Sequence, residues 1–168
     1  LPGVSPSNEP MLRRSLAANA ALGATSNLEA AIECGLQSSL SHAMREHAWQ
    51  LVHDWAAPSP RDPVHGLWRP LPPRSQDDVV STLRAALPKI IEAGAHGGIG
   101  LVVAAALGVH ETHLPLTSIV GDAAYSLELQ VRAIGALGGA NESIVTQAID
   151  AGLKSDAPGV RSAARQLL

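Results

Sequence analysis

Residues three apart share one face of an α-helix, and the run His110-Glu111-Thr112-His113 sets two imidazoles in that relation. Two neutral imidazoles and a carboxylate, Glu111 or a fold-adjacent Glu92, are ligand types that zinc accepts. The spacing argues the other way. The His-Glu-x-x-His pattern of zinc proteases is absent, and Pro115 follows at once. A solvent-exposed turn is the expectation, with metal binding at His110 and His113 as the alternative. His42 and His47 stand on different faces, and His47 falls on a core stripe, so it is expected to be a satisfied helix histidine.

Three further patterns offer chemistry and lose it on inspection. Cys34, the single cysteine, excludes an internal disulfide and reads as a small buried hydrophobe. A catalytic thiol would need an electropositive setting. Gly94, Gly97, Gly98 and Gly100 resemble a phosphate-binding loop only superficially. Neither G-x-G-x-x-G after a strand nor G-x-x-x-x-G-K-S/T is present, and Lys89 precedes the glycines. Close helix packing or a tight turn is the expected role. No G-x-S-x-G elbow exists to arm a serine. No residue is therefore assigned a catalytic or cofactor-binding role.

The most individual stretch is 57–75. It holds six of the twelve prolines, Pro58, Pro60, Pro63, Pro70, Pro72 and Pro73. Proline lacks the donor that helix and strand require, so the stretch is a loop insertion. Val64, Leu67, Trp68 and Leu71 are expected to pin it to the helical surface. Arg61, Asp62, His65, Trp68 and Arg69 form its candidate interaction set, because Trp and Arg anchor many interfaces. Self-docking is the preferred reading, with Asp62 pairing with an arginine and Trp68 covering a helix face. Contact with a neighbouring domain is the functional alternative.

Around this loop the pattern is helical. Ser7 or Asn8 is expected to cap a helix to Leu22, ended by Gly23, after an extended entry segment over 1–8. Ser26 or Asn27 then caps Leu28–Leu36. A longer helix over 40–56 carries Ala43, Met44, His47, Ala48, Leu51, Val52 and Trp55 at i, i+3, i+4 spacing. Beyond the loop, Val79, Val80, Leu83, Ala86 and Leu87 make the stripe of a helix started by Ser75 or by Asp77-Asp78, which Pro88 kinks or divides. A buried helix over 99–107, apolar all round, follows the glycines. A short one surrounds Pro115. Asp122, Asn141 and Asp156 are the expected caps of the last three.

One signature recurs along these helices. An apolar residue, Arg, a small residue and Leu fall at helical spacing at Met44-Arg45, Val131-Arg132 and Val160-Arg161, with a looser version at Leu12-Arg13. A helix type repeated along a chain marks a stacked array. Arg132 and Arg161 stand 29 residues apart, and Arg13 and Arg45 stand 32 apart. Each Arg is expected to reach an acidic group in the adjacent repeat.

Composition agrees with helix. Alanine supplies 28 of 168 residues and phenylalanine is absent, so the core is built from Ala, Leu, Val and Ile. Alanine is the strongest helix former, and small residues let helix axes approach closely. The net charge of -3 gives no basic footprint for nucleic acid. No apolar run reaches the roughly 18 residues of a membrane span. The chain opens without Met and ends on Leu167-Leu168, which reads as a piece of a longer protein because solenoid ends usually carry polar caps.

These residues resemble HEAT repeats, most closely at Glu128-Leu129-Gln130-Val131-Arg132-Ala133 and Asp156-Ala157-Pro158-Gly159-Val160-Arg161. The resemblance implies an all-α, HEAT-like right-handed α-solenoid over 1–168, with four to five imperfect helical hairpins and the Pro-rich insertion at 57–75. It identifies a scaffold and no activity. The stretch from His53 through Trp68 to Leu71 is similar to the HEAT-like region of large bacterial multidomain proteins. Those proteins join a sugar-dehydrogenase-like β-propeller to helical repeats and a cytochrome c module. That likeness implies a non-catalytic spacer within an exported, periplasmic or membrane-associated oxidoreductase. Its partners would be neighbouring domains of the same chain or other proteins, and haem c would lie elsewhere in the parent, since Cys34 stands alone. A helical enzyme domain and a free-standing adaptor are the alternatives.

Overall fold

A computed structural model describes residues 8–62 and 65–168. Among them the chain is all-helical, with nine α-helices, two single-turn 3-10 segments and no strand. They divide into two compact units, one ending at Ala86 and the other spanning Leu87–Leu168. The entry segment up to Ser7, Pro63 and Val64 lie outside the described residues.

The first unit begins with α1 (Glu9–Leu22), α2 (Thr25–Leu36) and α3 (His42–His53), each packed on the other two. Asn8 caps α1 by accepting from the Met11 N–H, Pro10 sits in the first turn, and Gly23 closes the helix in a left-handed conformation. Helix α2 starts earlier than the sequence suggests. Asn27 is its third residue and reaches back to the Ala24 N–H, so the polar side chain still covers an end donor from inside the helix. Ser41 caps α3 through the Met44 N–H.

The core of this unit holds Leu16, Leu28, Ile32, Met44, Ala48, Trp49 and Val52. Trp49 is fully buried, although the stripe read from the sequence passed over it and included Ala43, which is exposed. The close approach of α2 explains the difference. The Trp49 indole N–H donates to the Gly35 carbonyl at 3.1 Å, and a methyl group on Gly35 would stand 2.6 Å from the indole ring. Glycine leaves room for the ring, and the hydrogen bond satisfies its one polar atom. Burial of so large a side chain contributes roughly 1.5–3 kcal/mol.

Helix α4 (Gln76–Glu92) runs unbroken through Pro88. Proline costs it one donor but not its continuity, so of the two expectations, a kink or a division, the division does not occur. Ser75 accepts from the Asp78 N–H at its start, and Val79, Leu83, Leu87 and Ile90 form its buried stripe.

In the second unit α5 (Gly98–Ala106), α6 (His113–Thr117), α7 (Leu127–Leu137), α8 (Glu142–Leu153) and α9 (Pro158–Arg165) enclose a core of Ile99, Ala104, Leu116, Ile119, Ile134, Leu137, Val160 and Ala164. Helix α7 touches α5, α6, α8 and α9. Asn141 caps α8 as expected. Two other caps differ. Ser126, not Asp122, caps α7, while Asp122 folds a local turn by accepting from the Ala124 N–H at 2.8 Å. Residue Ala157 precedes α9 without a side-chain cap, so Asp156 is not the capping residue.

Candidate functional site

The Pro-rich loop has an ordered centre. Arg61 and Trp68 form an antiparallel bridge, flanked by Asp62 N–H donating to the Leu67 carbonyl and Arg69 N–H donating to the Pro60 carbonyl, both at 2.8 Å. Asp62 accepts from the His65 N–H at 2.8 Å and lies 3.4 Å from the His65 ring. Arg61 donates to the Gly66 carbonyl. The five interaction candidates, Arg61, Asp62, His65, Trp68 and Arg69, thus belong to one small knuckle.

Leu67 and Trp68 do not pin this knuckle to the helical surface as expected. Trp68 is 66% exposed and Leu67 52% exposed, so neither covers a helix face. The backbone ladder holds their positions without side-chain burial. The loop is fastened at its far end instead, by a residue that composition did not single out. Arg74 lies 4.7 Å over the Trp55 ring, its N–H donates to the Ala56 carbonyl, and its guanidinium donates to the Ala20 carbonyl in the last turn of α1. A cation there meets both an aromatic face and the negative end of a helix dipole. Burial nudges the Arg74 pKa down.

Between α1, α3 and the loop lies a cleft of about 200 Å³. Ala17, Ala20, Leu51 and Leu71 give apolar walls, and Trp55 adds an aromatic one. Asp54, Arg61 and Arg74 bring charge. The Asp54 carboxylate is already held by Gln50 Nε2 at 2.9 Å and His53 Nδ1 at 2.8 Å. His47 also lines the cleft and departs from expectation. Its Nε2 is buried without a hydrogen-bond partner, and its pKa is lowered by burial first and by the charge of Arg13 second.

His110 and His113 are brought together in the second unit, with ring centroids 5.2 Å apart and planes at 63°. The expected exposed turn is a 3-10 turn, His110–Thr112, leading into α6, and Thr112 and His113 are buried. Burial lowers the His113 pKa, and His110 lowers it further. No group of three or more His, Cys, Asp or Glu arranged to hold a metal occurs among the described residues. The glycine run is a packing turn. A methyl group on Gly97 would stand 1.8 Å from the Ile90 carbonyl oxygen, and Gly98 sits against Leu129. Cys34 is buried, and desolvation raises its pKa.

Two arginines of the recurring signature, Arg45 and Arg161, hold backbone carbonyls instead of the expected acidic groups. Arg45 donates to the Leu40 carbonyl, and Arg161 donates to the Ser155 and Asp156 carbonyls, both at 2.7 Å. Each is the fourth residue of its helix and ties down the turn before it. Arg132 stands deeper in α7 and lies 3.8 Å from Glu128.

Compared with protein-family models, with curated proteins and with solved structures, the chain matches none of them.

Proposed function

We propose that the chain is a non-catalytic helical-repeat scaffold whose Pro-rich knuckle docks on a neighbouring domain of the same parent protein. The observation that carries this reading is Trp68. A large aromatic, 66% exposed and flanked by Arg61 and Arg69, sits on a hydrogen-bonded knuckle outside the helical core. Exposed Trp beside Arg is the composition of an interface anchor, and the backbone ladder lowers the ordering cost of binding.

The repeat reading is HEAT-like: an α-solenoid of four to five imperfect hairpins. Its support is the shared device of Arg45 and Arg161, at one helical register and 116 residues apart. That distance is four times the spacing between Arg132 and Arg161. The parent would be a large exported dehydrogenase or cytochrome-type redox protein of bacterial type, with haem c carried elsewhere. This rests on the likeness of residues 53–71, which include the whole knuckle.

Small-angle scattering of the parent protein tests the docking. A Leu67→Ser, Trp68→Ser variant should expand the parent while the isolated 168-residue chain keeps its melting temperature. Unchanged dimensions in the parent would remove the docking role.

A further inference from the structure

We propose that the cleft under the Pro-rich loop binds small organic carboxylates that carry a flat apolar body. The walls set the body. The Ala17, Ala20, Leu51 and Leu71 side chains offer no hydrogen bonds, and Trp55, nearly fully buried with Arg74 over its ring, adds an aromatic part to the wall. An apolar cavity of about 150 Å³ takes up benzene, so about 200 Å³ accommodates one ring with a short acidic arm.

The charges set the head group. Two arginines, Arg61 and Arg74, are among the residues lining the cleft, against one acidic residue, Asp54. Asp54 is committed to Gln50 and His53. Arg61 and Arg74 donate to the backbone carbonyls of Gly66 and Ala20, acceptors without formal negative charge, so neither guanidinium spends its donors on a carboxylate. A guanidinium has five N–H donors in a planar fork that suits a carboxylate. Neutral ring compounds would forgo that pairing, and a cationic ring would be repelled.

The test is an NMR titration of the 168-residue chain with sodium phenylacetate at fixed ionic strength. 2-Phenylethanol, phenethylammonium and sodium acetate serve as neutral, cationic and ring-free controls. Phenylacetate should give saturable shifts at Ala17, Ala20, Leu51 and the Trp55 indole N–H. Each control should bind at least about tenfold more weakly, the ratio expected for losing one charge-assisted hydrogen bond or the ring contact. Arg61→Gln, on the exposed knuckle, should weaken phenylacetate about tenfold. Ala17→Leu, which fills the cleft and leaves the arginines in place, should abolish the shifts. Absence of saturation, equal binding of all four compounds, or shifts centred on Trp68 would each overturn the proposal.

Discussion

Arg74 lies 4.7 Å above the ring of Trp55, with its guanidinium also donating to the last turn of α1. One side chain thereby joins the end of the Pro-rich loop to two parts of the first unit. Trp55 is nearly fully buried, which strengthens the attraction between cation and ring by excluding water. A double-mutant cycle of Trp55→Leu and Arg74→Met should show a coupling of about 1 kcal/mol in urea unfolding. Arg74→Lys should not restore it, because an ammonium cannot stack and donate along the same plane. Additive effects of the two substitutions would show that the contact contributes nothing.

Gly35 and Trp49 test how tightly α2 and α3 approach. A methyl group at position 35 would meet the indole at 2.6 Å. Gly35→Ala should therefore destabilise the chain by about 1–3 kcal/mol despite the higher helix propensity of alanine. The check is chemical denaturation followed by Trp fluorescence. A stabilised variant would mean that the indole moves aside at no cost.

The elements that sequence reading located well are those with local causes. Asn8 and Asn141 cap helices by bonding an N–H three residues on, which spacing alone reveals, whereas Ser41, read as lying inside the helix over 40–56, turns out to be its cap. Proline content marked the loop for an equally local reason. The failures have non-local causes. Trp49 is core because Gly35, on another helix, leaves space for it. Trp68 is exposed because a backbone ladder, not apolar burial, fixes its position. Arg74 looked like one more loop residue, since its partners Trp55 and Ala20 are distant in sequence. Arg45 and Arg161 stand out in the sequence, yet their acceptors do not, because backbone carbonyls leave no mark there. The cleft was not legible at all, being made where three segments meet.

His47 and His113 give the stability a direction with pH. Both have folded-state pKa values below the ordinary 6.5, chiefly through burial. The unfolded chain then takes up protons more readily than the folded one as pH falls through 6.5. Stability should be full above that point and decline below it, until pH passes the folded-state values. A melting series from pH 7.5 to 5 should show this slope, and His47→Gln with His113→Gln should flatten it. An unchanged slope in the double variant would assign the loss to other groups.

Arg161 holds the two carbonyls that precede α9, a helix without a side-chain cap. Arg161→Met should cost about 1–2 kcal/mol, and Arg161→Lys should recover only part of that. Thermal unfolding of the three chains measures it. Equal stability of the Lys chain and the parent sequence would show that charge alone, and not the donor fork, ties the turn.

The docking role of the knuckle is tested most directly by a photo-crosslinking residue placed at position 68 of the parent protein, followed by peptide mapping. The expected product is a crosslink from position 68 to a peptide of the same parent chain outside these 168 residues. Products confined to these 168 residues, or none at all, would contradict the docking role.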